Sequence, residues 1–489
     1  MTMPGMLLLV AEVIAVIVLA VVASRHFGYA DGARITVAYV VAYLVPLTVL
    51  KRARGTSDAA HAVLLLIGIF LAWVSFDSLM RWVRLDGYSL QRPNLDGDAR
   101  QYYKWALYHF DGSVEPTQVV FSGFPLMMVG LWKVLGLSVV WPQALNQMCT
   151  MTSVVLTGMT TRRVLASRVS RSSERLVFLG MLLMLLLPYY LMSGICILKE
   201  GVLFLSVAMA GYSLASMVTD DENRHHLWRD IVLFVLACLL MTFVRTTFLY
   251  VLLLGVVVMT IPHWRRDWVL SLCLIGVIFV LLIVGNHFAS YSFGRHAEIV
   301  SGGWNMQRLF TRNTESIYRK ILGYYFLYSP WHKLGLLPLT MSIQFILPLP
   351  WVPEYADPNL LTIFCRVSYG WYLVGGVFWF YVLFMSWRRH ENIGMWVWWP
   401  VAIYMVLAYV MGGTTVRYLL PIEALMIPVV VYVLCRVSEK RWRRPFIWWM
   451  SCLVVLVALA LLVCLELQRG VVSSFLHLPP LSHYFPNLP

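Results

Sequence analysis

The sequence predicts an all-α polytopic membrane protein. Hydrophobic residues make up 60% of the 489-residue chain and charged residues only 13%, and the mean hydropathy is +0.73. Soluble globular domains carry about 25% charged residues, so this composition excludes an ordinary soluble globule. Apolar stretches of about 17–25 residues recur along the chain, which is the length an α-helix needs to cross roughly 30 Å of hydrocarbon.

About thirteen transmembrane helices are predicted from these stretches, which would place the two termini on opposite sides of the membrane. The first stretch lacks a preceding basic region and a small-residue cleavage site, so we interpret it as a retained span and not as a signal peptide. The predicted spans are 5–24, 33–50, 60–80, 138–160, 176–197, 201–218, 231–244, 246–261, 268–286, 362–386, 395–411, 418–435 and 446–467.

Positive charge sets the predicted orientation. The formal net charge is +14, and about half of the 38 Lys and Arg residues fall in short connections that share one side if the N-terminus is cytoplasmic. This is the positive-inside pattern of membrane proteins, so we interpret the charge as a topology signal and not as a nucleic-acid-binding surface. The eight cysteines lie in or beside apolar stretches, which indicates buried hydrophobic residues and neither disulfides nor a zinc site.

The segment 231–261 carries Arg245 in its middle and is too long for one ordinary span. We predict two short helices that turn at Arg245 on the outer side. The alternative is one long tilted helix whose arginine side chain extends to the membrane interface. The predicted number of spans depends on this choice.

Two long outer connections are predicted within a single transmembrane domain, 1–470. The first, 81–137, ends in an apolar segment with Lys133 that is too short to span and is predicted to lie in the membrane interface. The second, 287–361, contains an apolar stretch that is either interfacial or re-entrant. The tail, 471–489, has four prolines and is predicted to be irregular and to lie on the outer side.

A polar stretch at 94–106, in the first outer connection, is the strongest candidate for a functional site. Charge is costly near hydrocarbon, so acidic and basic residues gathered there indicate function. Asp98, Tyr102 and Ala106 recur at four-residue spacing, which predicts one stripe of a helix. The carboxylate of Asp98 would lie at the N-terminus of this helix, where the helix dipole favours an anion. A simple capping role for Asp98 is the structural alternative.

Further motifs follow this stretch in chain order. They are Ser122-Gly123-Phe124-Pro125-Leu126, Leu135-Gly136, Asn146, Lys199-Glu200-Gly201, Val244-Arg245-Thr246 and Thr415-Val416-Arg417-Tyr418-Leu419-Leu420-Pro421. Together with the D-x-x-x-Y-x-x-x-A pattern that begins at Asp98, this order resembles the GT-C superfamily of membrane glycosyltransferases. The likeness is to the branch of protein O-mannosyltransferases, aminoarabinose transferases and rhizobial lipopolysaccharide sugar transferases, and it covers roughly residues 80 to 425.

The resemblance implies a GT-C-like fold and a sugar transferase of a bacterial inner membrane. Such enzymes move a sugar from a polyprenyl-phosphate carrier to an acceptor hydroxyl, on a glycan or lipid-linked glycan, at the periplasmic face. The implied catalytic base is Asp98, with inversion at the anomeric carbon. Asp96 remains an alternative because the branch often has two adjacent acids, which Gly97 separates here. The implied substrate-binding residues are Arg100, Tyr102, Lys199, Glu200, Arg245, Arg417 and Tyr418.

The implied partners are the polyprenyl-phosphate sugar donor, the acceptor glycan and the lipid bilayer, with no nucleic acid. No cofactor is expected, because the sequence has no nucleotide-binding motif. A divalent ion near His109 and Asp111 is left open. Two other functions remain as alternatives, namely a polysaccharide polymerase or ligase that uses a lipid-linked glycan, and a transporter or flippase for lipid-linked sugars.

Overall fold

Every regular element in the described part of the chain is an α-helix. The computed structural model describes residues 3–53, 56–95, 97–112, 123–169, 171–193, 196–219, 227–260 and 420–436, with helical pieces of one to three residues between 276 and 458. The helices are α1 (Met3–Arg52), α2 (Asp58–Val83), α3 (Gly97–Asp111), α4 (Phe124–Leu135), α5 (Val140–Leu165), α6 (Ser173–Leu185), α7 (Pro188–Ser193), α8 (Glu200–Thr219), α9 (Leu227–Thr260) and α10 (Leu420–Arg436).

Four of the described helices are long and apolar enough to cross a membrane. They lie in α1, α2, α8 and the first part of α9, and the number becomes five if the bent pair α4–α5 forms one span. The helical class and the membrane association predicted from composition are therefore confirmed. The predicted spans between 268 and 411 and the predicted span 446–467 lie outside the described ranges.

The long element α1 consists of two antiparallel arms joined at Gly28. Gly28 has a φ of 79°, a backbone conformation that glycine adopts without steric cost. The arms approach closely, because a Cβ at Gly32 would lie 2.5 Å from the backbone of Ser24. Farther along, the Tyr43 hydroxyl donates to a Glu12 carboxylate oxygen at 2.6 Å. The two arms coincide with the predicted spans 5–24 and 33–50.

Helix α5 lies at the centre of the bundle and packs against α1, α6, α8 and α10. The buried amides of Gln143 and Gln147 hydrogen-bond to neighbouring helices, as buried polar groups generally do. Gln143 accepts from the Tyr39 hydroxyl at 2.6 Å and donates to the Ser75 carbonyl at 3.3 Å. One turn later, Gln147 donates to the Ser75 hydroxyl. The polar side chains thus fix α1, α2 and α5 relative to one another.

The structure divides the predicted span 176–197 into α6 and α7. Helix α6 begins at the N-cap Ser172, whose hydroxyl accepts from the Arg175 backbone N–H, and it ends at Leu185. Leu187 precedes Pro188, and the proline ring disfavours helical backbone at the preceding residue. A second, six-residue helix therefore begins at the proline.

Helix α9 breaks at Arg245, the residue at which the sequence predicts a turn between two short helices. Arg245 has extended backbone, with φ −159° and ψ 84°, between two helical segments. The first segment, Leu227–Arg245, is by itself long enough to span. The helix is therefore interrupted at the residue that the sequence indicates, and the turn between two separate spans stays a prediction.

Helices α3 and α4 precede α5 in the chain and pack against each other, and α4 also contacts α5. The twelve residues of α4 rise only about 18 Å, which is too short to cross the hydrocarbon core. The axis of α4 is bent by 117° from that of α5. Pro125 stands in its first turn, and Gly136 ends it with a φ of 84°. A short helix that does not span alone was predicted for this segment.

Candidate functional site

Helix α3 carries the predicted stripe of Asp98, Tyr102 and Ala106. The helix begins at Gly97, which places Asp98 in its first turn. Asp98 is exposed, whereas Tyr102 is 6% exposed and Ala106 is fully buried. Tyr102 and Ala106 therefore pack against the rest of the protein, and the carboxylate of Asp98 stays accessible. Arg100, on the same helix, is exposed.

The ring of Tyr102 joins three motifs that are distant in the sequence. It meets the ring of Phe124 edge to face, with the centroids 6.1 Å apart, and Phe124 belongs to the Ser-Gly-Phe-Pro-Leu motif. The Nζ atom of Lys199 lies 5.8 Å from the Tyr102 centroid, within the range of a cation–π contact. The cation at the start of α8 is thus held beside the helix that begins with Asp98.

Tyr103 anchors the other side of α3. Its hydroxyl donates to the Gln91 carbonyl at 2.8 Å, and its ring meets Trp132 of α4 at 5.0 Å. The indole N–H of Trp132 in turn donates to the Ser138 carbonyl at 2.9 Å. Burial, with a smaller effect of the Asp111 charge, raises the pKa of the Tyr103 phenol. The phenol therefore stays neutral and continues to donate, which fixes the orientation of α3.

Gly123 connects the first outer loop to the break in α9. Its backbone N–H donates to the Phe243 carbonyl at 2.8 Å, two residues before Arg245. A Cβ at Gly123 would lie 2.3 Å from the Phe243 ring and 2.5 Å from the same carbonyl oxygen. Only glycine fits this contact, and the contact brings the Ser-Gly-Phe-Pro-Leu motif next to the Arg245 motif.

Asn146 holds the turn that leads into Lys199 and Glu200. Its fully buried side chain donates to the Cys196 carbonyl at 2.6 Å and to the Leu198 carbonyl at 2.8 Å. Glu200, the first residue of α8, is fully buried as well. A Cβ at Gly201 would lie 2.7 Å from the Asn146 Oδ1, so the glycine lets α8 approach α5. The asparagine and the Lys-Glu-Gly motif therefore form one structural unit.

Replacing Asn146 with leucine is expected to weaken this unit. The carbonyl groups of Cys196 and Leu198, two partly buried residues, would lose their side-chain donor. Each lost hydrogen bond costs about 0.5–1.5 kcal/mol. We expect a lower melting temperature and a displaced Lys199. A suitable control is Gln147→Leu, which removes a buried amide that faces Ser75 instead. If Gln147→Leu displaces Lys199 as much as Asn146→Leu does, Asn146 has no specific role in placing Lys199.

Glu423 is a buried acid to which the sequence assigned no role in this site. It lies in the first turn of α10 and is 5% exposed. It lies near Tyr190. The Tyr190 hydroxyl is 2.8 Å from that of Ser153, and the Tyr190 ring stacks on Phe204 of α8 at 4.0 Å. The signal in the sequence was a carboxylate inside an apolar stretch, which is costly and therefore informative.

Three predicted site residues, Asp96, Arg417 and Tyr418, lie outside the described ranges. The choice between Asp96 and Asp98 is therefore not tested by geometry. The residues that the structure describes contain no group of three or more His, Cys, Asp or Glu side chains suited to a metal ion. The His109 ring packs on Trp105, with centroids 3.9 Å apart.

Comparisons of the chain with models of protein families, with curated proteins and with solved structures found no match.

Proposed function

We propose that this protein is a glycosyltransferase that moves a sugar from a polyprenyl-phosphate donor to an acceptor hydroxyl on a glycan or lipid-linked glycan. The observation that carries the proposal is the contact of Lys199 with Tyr102, 5.8 Å from the ring. It joins a cation to a helix whose first turn bears an exposed carboxylate. This reaction requires a base that takes the proton of the acceptor hydroxyl and a cation that stabilises the charge on the phosphate leaving group.

In the proposed reaction, an oxygen of the acceptor attacks the anomeric carbon of the sugar. The bond from that carbon to the acceptor oxygen forms while the bond to the phosphate oxygen breaks. The acceptor proton passes to the carboxylate of Asp98, and the electron pair leaves with the lipid phosphate. One displacement of this kind inverts the configuration at the anomeric carbon.

The cations proposed to bind the phosphate are Lys199, Arg245 and Arg417. Arginine is suited to phosphate because its planar fork donates two parallel hydrogen bonds. Arg245 has extended backbone at the break of α9, so its side chain is not restricted to one face of a helix. Further proposed substrate contacts come from Arg100, Tyr102, Glu200 and Tyr418.

The proposed setting is the inner membrane of a bacterium. In this proposal the chain has a GT-C-like fold with about thirteen spans, a cytoplasmic N-terminus and a periplasmic active site. The support is the concentration of Lys and Arg in alternate connections, which the positive-inside rule assigns to the cytoplasm. The acceptor would be a lipopolysaccharide or another cell-envelope polysaccharide, as the motif resemblance implies.

Replacing Lys199 with glutamine tests the proposal directly. Hydrogen bonds from charged groups contribute about 1.5–3 kcal/mol, so the variant is expected to bind a synthetic polyprenyl-phosphate hexose at least about tenfold more weakly. The measurement is donor affinity together with transfer of the labelled sugar by the purified protein. Lys133→Gln, at an exposed position of α4, is the matched control and should behave as wild type. No transfer by the wild type from any polyprenyl-phosphate sugar would overturn the proposal.

A further inference from the structure

Three arginines converge where α5 and α10 end, and we call them the basic cluster. Arg168 and Arg171 lie in the connection between α5 and α6, and Arg436 is the last residue of α10. The Arg436 guanidinium donates to the Arg168 carbonyl at 2.9 Å and lies 5.4 Å from the Tyr432 ring centroid. Arg171 lies near Cys435, the residue before Arg436. The hydrogen-bonded residues Arg168 and Arg436 are 268 positions apart in the sequence. Two distant segments thus bring three positive charges together.

The guanidinium of Arg168 is incompletely satisfied. Its Nη1 atom is buried and has no hydrogen-bond partner within the described structure. No salt bridge to Arg168 or Arg171 occurs among the described residues. Burial lowers the pKa of Arg168 from its ordinary value, but arginine remains charged at neutral pH. A buried cationic donor without a partner costs free energy, which an anion at this position would recover.

Arg163 is an arginine whose guanidinium donates hydrogen bonds to other residues of the protein. It donates to the Tyr212 hydroxyl at 2.8 Å and to the Ser216 hydroxyl, and Ser216 donates to Asp230. Asp230 is 2% exposed, so that network contains its own negative charge. Among the described residues, by contrast, no acid pairs with Arg168. An anionic ligand would supply the negative charge that Asp230 supplies to the Arg163 network.

The position of the basic cluster defines the kind of anion. Asn146 and Arg168 are separated by 22 positions, most of them in α5, so the cluster lies roughly 30 Å from the Lys199 site, which is about one hydrocarbon thickness. If α5 crosses the membrane as the sequence predicts, the cluster lies at the opposite membrane surface. Basic pockets between helix ends at this depth attract anionic lipid headgroups, and arginine binds phosphate oxygens in a bidentate manner.

We propose that the basic cluster of Arg168, Arg171 and Arg436 binds a phosphate group, supplied by the headgroup of an anionic phospholipid. The aromatic face of Tyr432 supports one guanidinium of the site, and the free Nη1 of Arg168 donates to the phosphate. The site is independent of sugar transfer. It would bind lipid even if the protein had another function.

Native mass spectrometry of the full chain in detergent tests this proposal. The probes are phosphatidylglycerol and phosphatidylcholine with the same acyl chains, and inorganic phosphate serves as the competitor. We expect preferential retention of phosphatidylglycerol by the wild type and about tenfold weaker retention by Arg168→Gln, because a charge-assisted hydrogen bond is lost. The matched control is Arg175→Gln, which removes an equal charge at an exposed position of α6 and should bind as wild type.

Equal losses in Arg168→Gln and Arg175→Gln would overturn the site, because binding would then follow net charge alone. Equal retention of phosphatidylglycerol and phosphatidylcholine by the wild type would overturn it as well. Displacement of phosphatidylglycerol by inorganic phosphate would show that the same site accepts free phosphate, and resistance to displacement would show a requirement for the lipid. If Arg168→Gln does not fold, Arg168→Lys carries the test, with an expected partial loss because lysine cannot bind in a bidentate manner.

Discussion

Replacing Asp98 with asparagine is expected to slow sugar transfer by about 10²- to 10⁴-fold, the contribution that a positioned general base makes. Asparagine has nearly the same shape as aspartate but cannot accept the acceptor proton. Asp98 is exposed in the first turn of α3, so the substitution leaves the buried contacts of Tyr102 intact. Binding of the polyprenyl-phosphate hexose should therefore be unchanged. The measurement is single-turnover transfer of labelled sugar, with donor affinity determined in parallel.

Two further asparagine variants make this result specific. Asp86→Asn changes an exposed acid in the same predicted outer connection and should transfer at the wild-type rate. Asp96→Asn decides between the two candidate bases. A large loss in Asp96→Asn with normal transfer in Asp98→Asn would assign the base to Asp96. Normal transfer by both variants would show that neither acid is the base, and the polymerase and transporter alternatives would then be reopened.

Replacing Gly123 with alanine is expected to destabilise the folded protein by about 2–4 kcal/mol. Overpacking of a well-packed contact costs about 1–3 kcal/mol, and a lost hydrogen bond adds about 1 kcal/mol. The Phe243 ring can rotate away from the new methyl group, but the carbonyl oxygen, 2.5 Å from the Cβ position, belongs to the backbone of α9. The hydrogen bond from the Gly123 N–H to that oxygen must therefore lengthen. We expect a lower melting temperature in detergent and weaker donor binding.

Gly130→Ala is the matched control for this effect. Gly130 lies in α4, seven residues later, and a Cβ there would meet no atom within 4 Å. Alanine stabilises a helix interior relative to glycine by about 0.5–1 kcal/mol, so this variant should melt at the wild-type temperature or slightly above it. A Gly123→Ala protein as stable as Gly130→Ala would show that the loop does not rest on Phe243.

Hydropathy and motif spacing predicted the features that depend on local sequence. The start of α3 near Asp98, the short helix α4 and the break at Arg245 each follow from residues within one or two helical turns. Pro125 and Gly136 delimit α4, and an arginine inside a long apolar stretch indicates an interruption. The resemblance named Asn146 and Lys199 only as separate motifs, and the structure connects them through the carbonyls of Cys196 and Leu198.

Contacts between distant segments were not predictable from periodicity. The sequence gives no sign that Gly123 rests on Phe243, because that fit depends on how α9 passes the outer loop. The interruption before Pro188 was also missed, since the leucines on both sides keep the hydropathy high. The prediction of a continuous span 176–197 used composition alone, whereas the proline ring acts on the backbone geometry of the preceding residue.

The central position of α5 has a consequence for how the protein is made. Gln143, Asn146 and Gln147 would face lipid if α5 left the insertion machinery alone, and a polar side chain in hydrocarbon is unfavourable. The partners of the two glutamines, in α1 and α2, are synthesised first, but the carbonyls that Asn146 binds belong to Cys196 and Leu198. We therefore expect α5 to stay in a protected environment until the ribosome has passed residue 198, so that these helices enter the bilayer as a group.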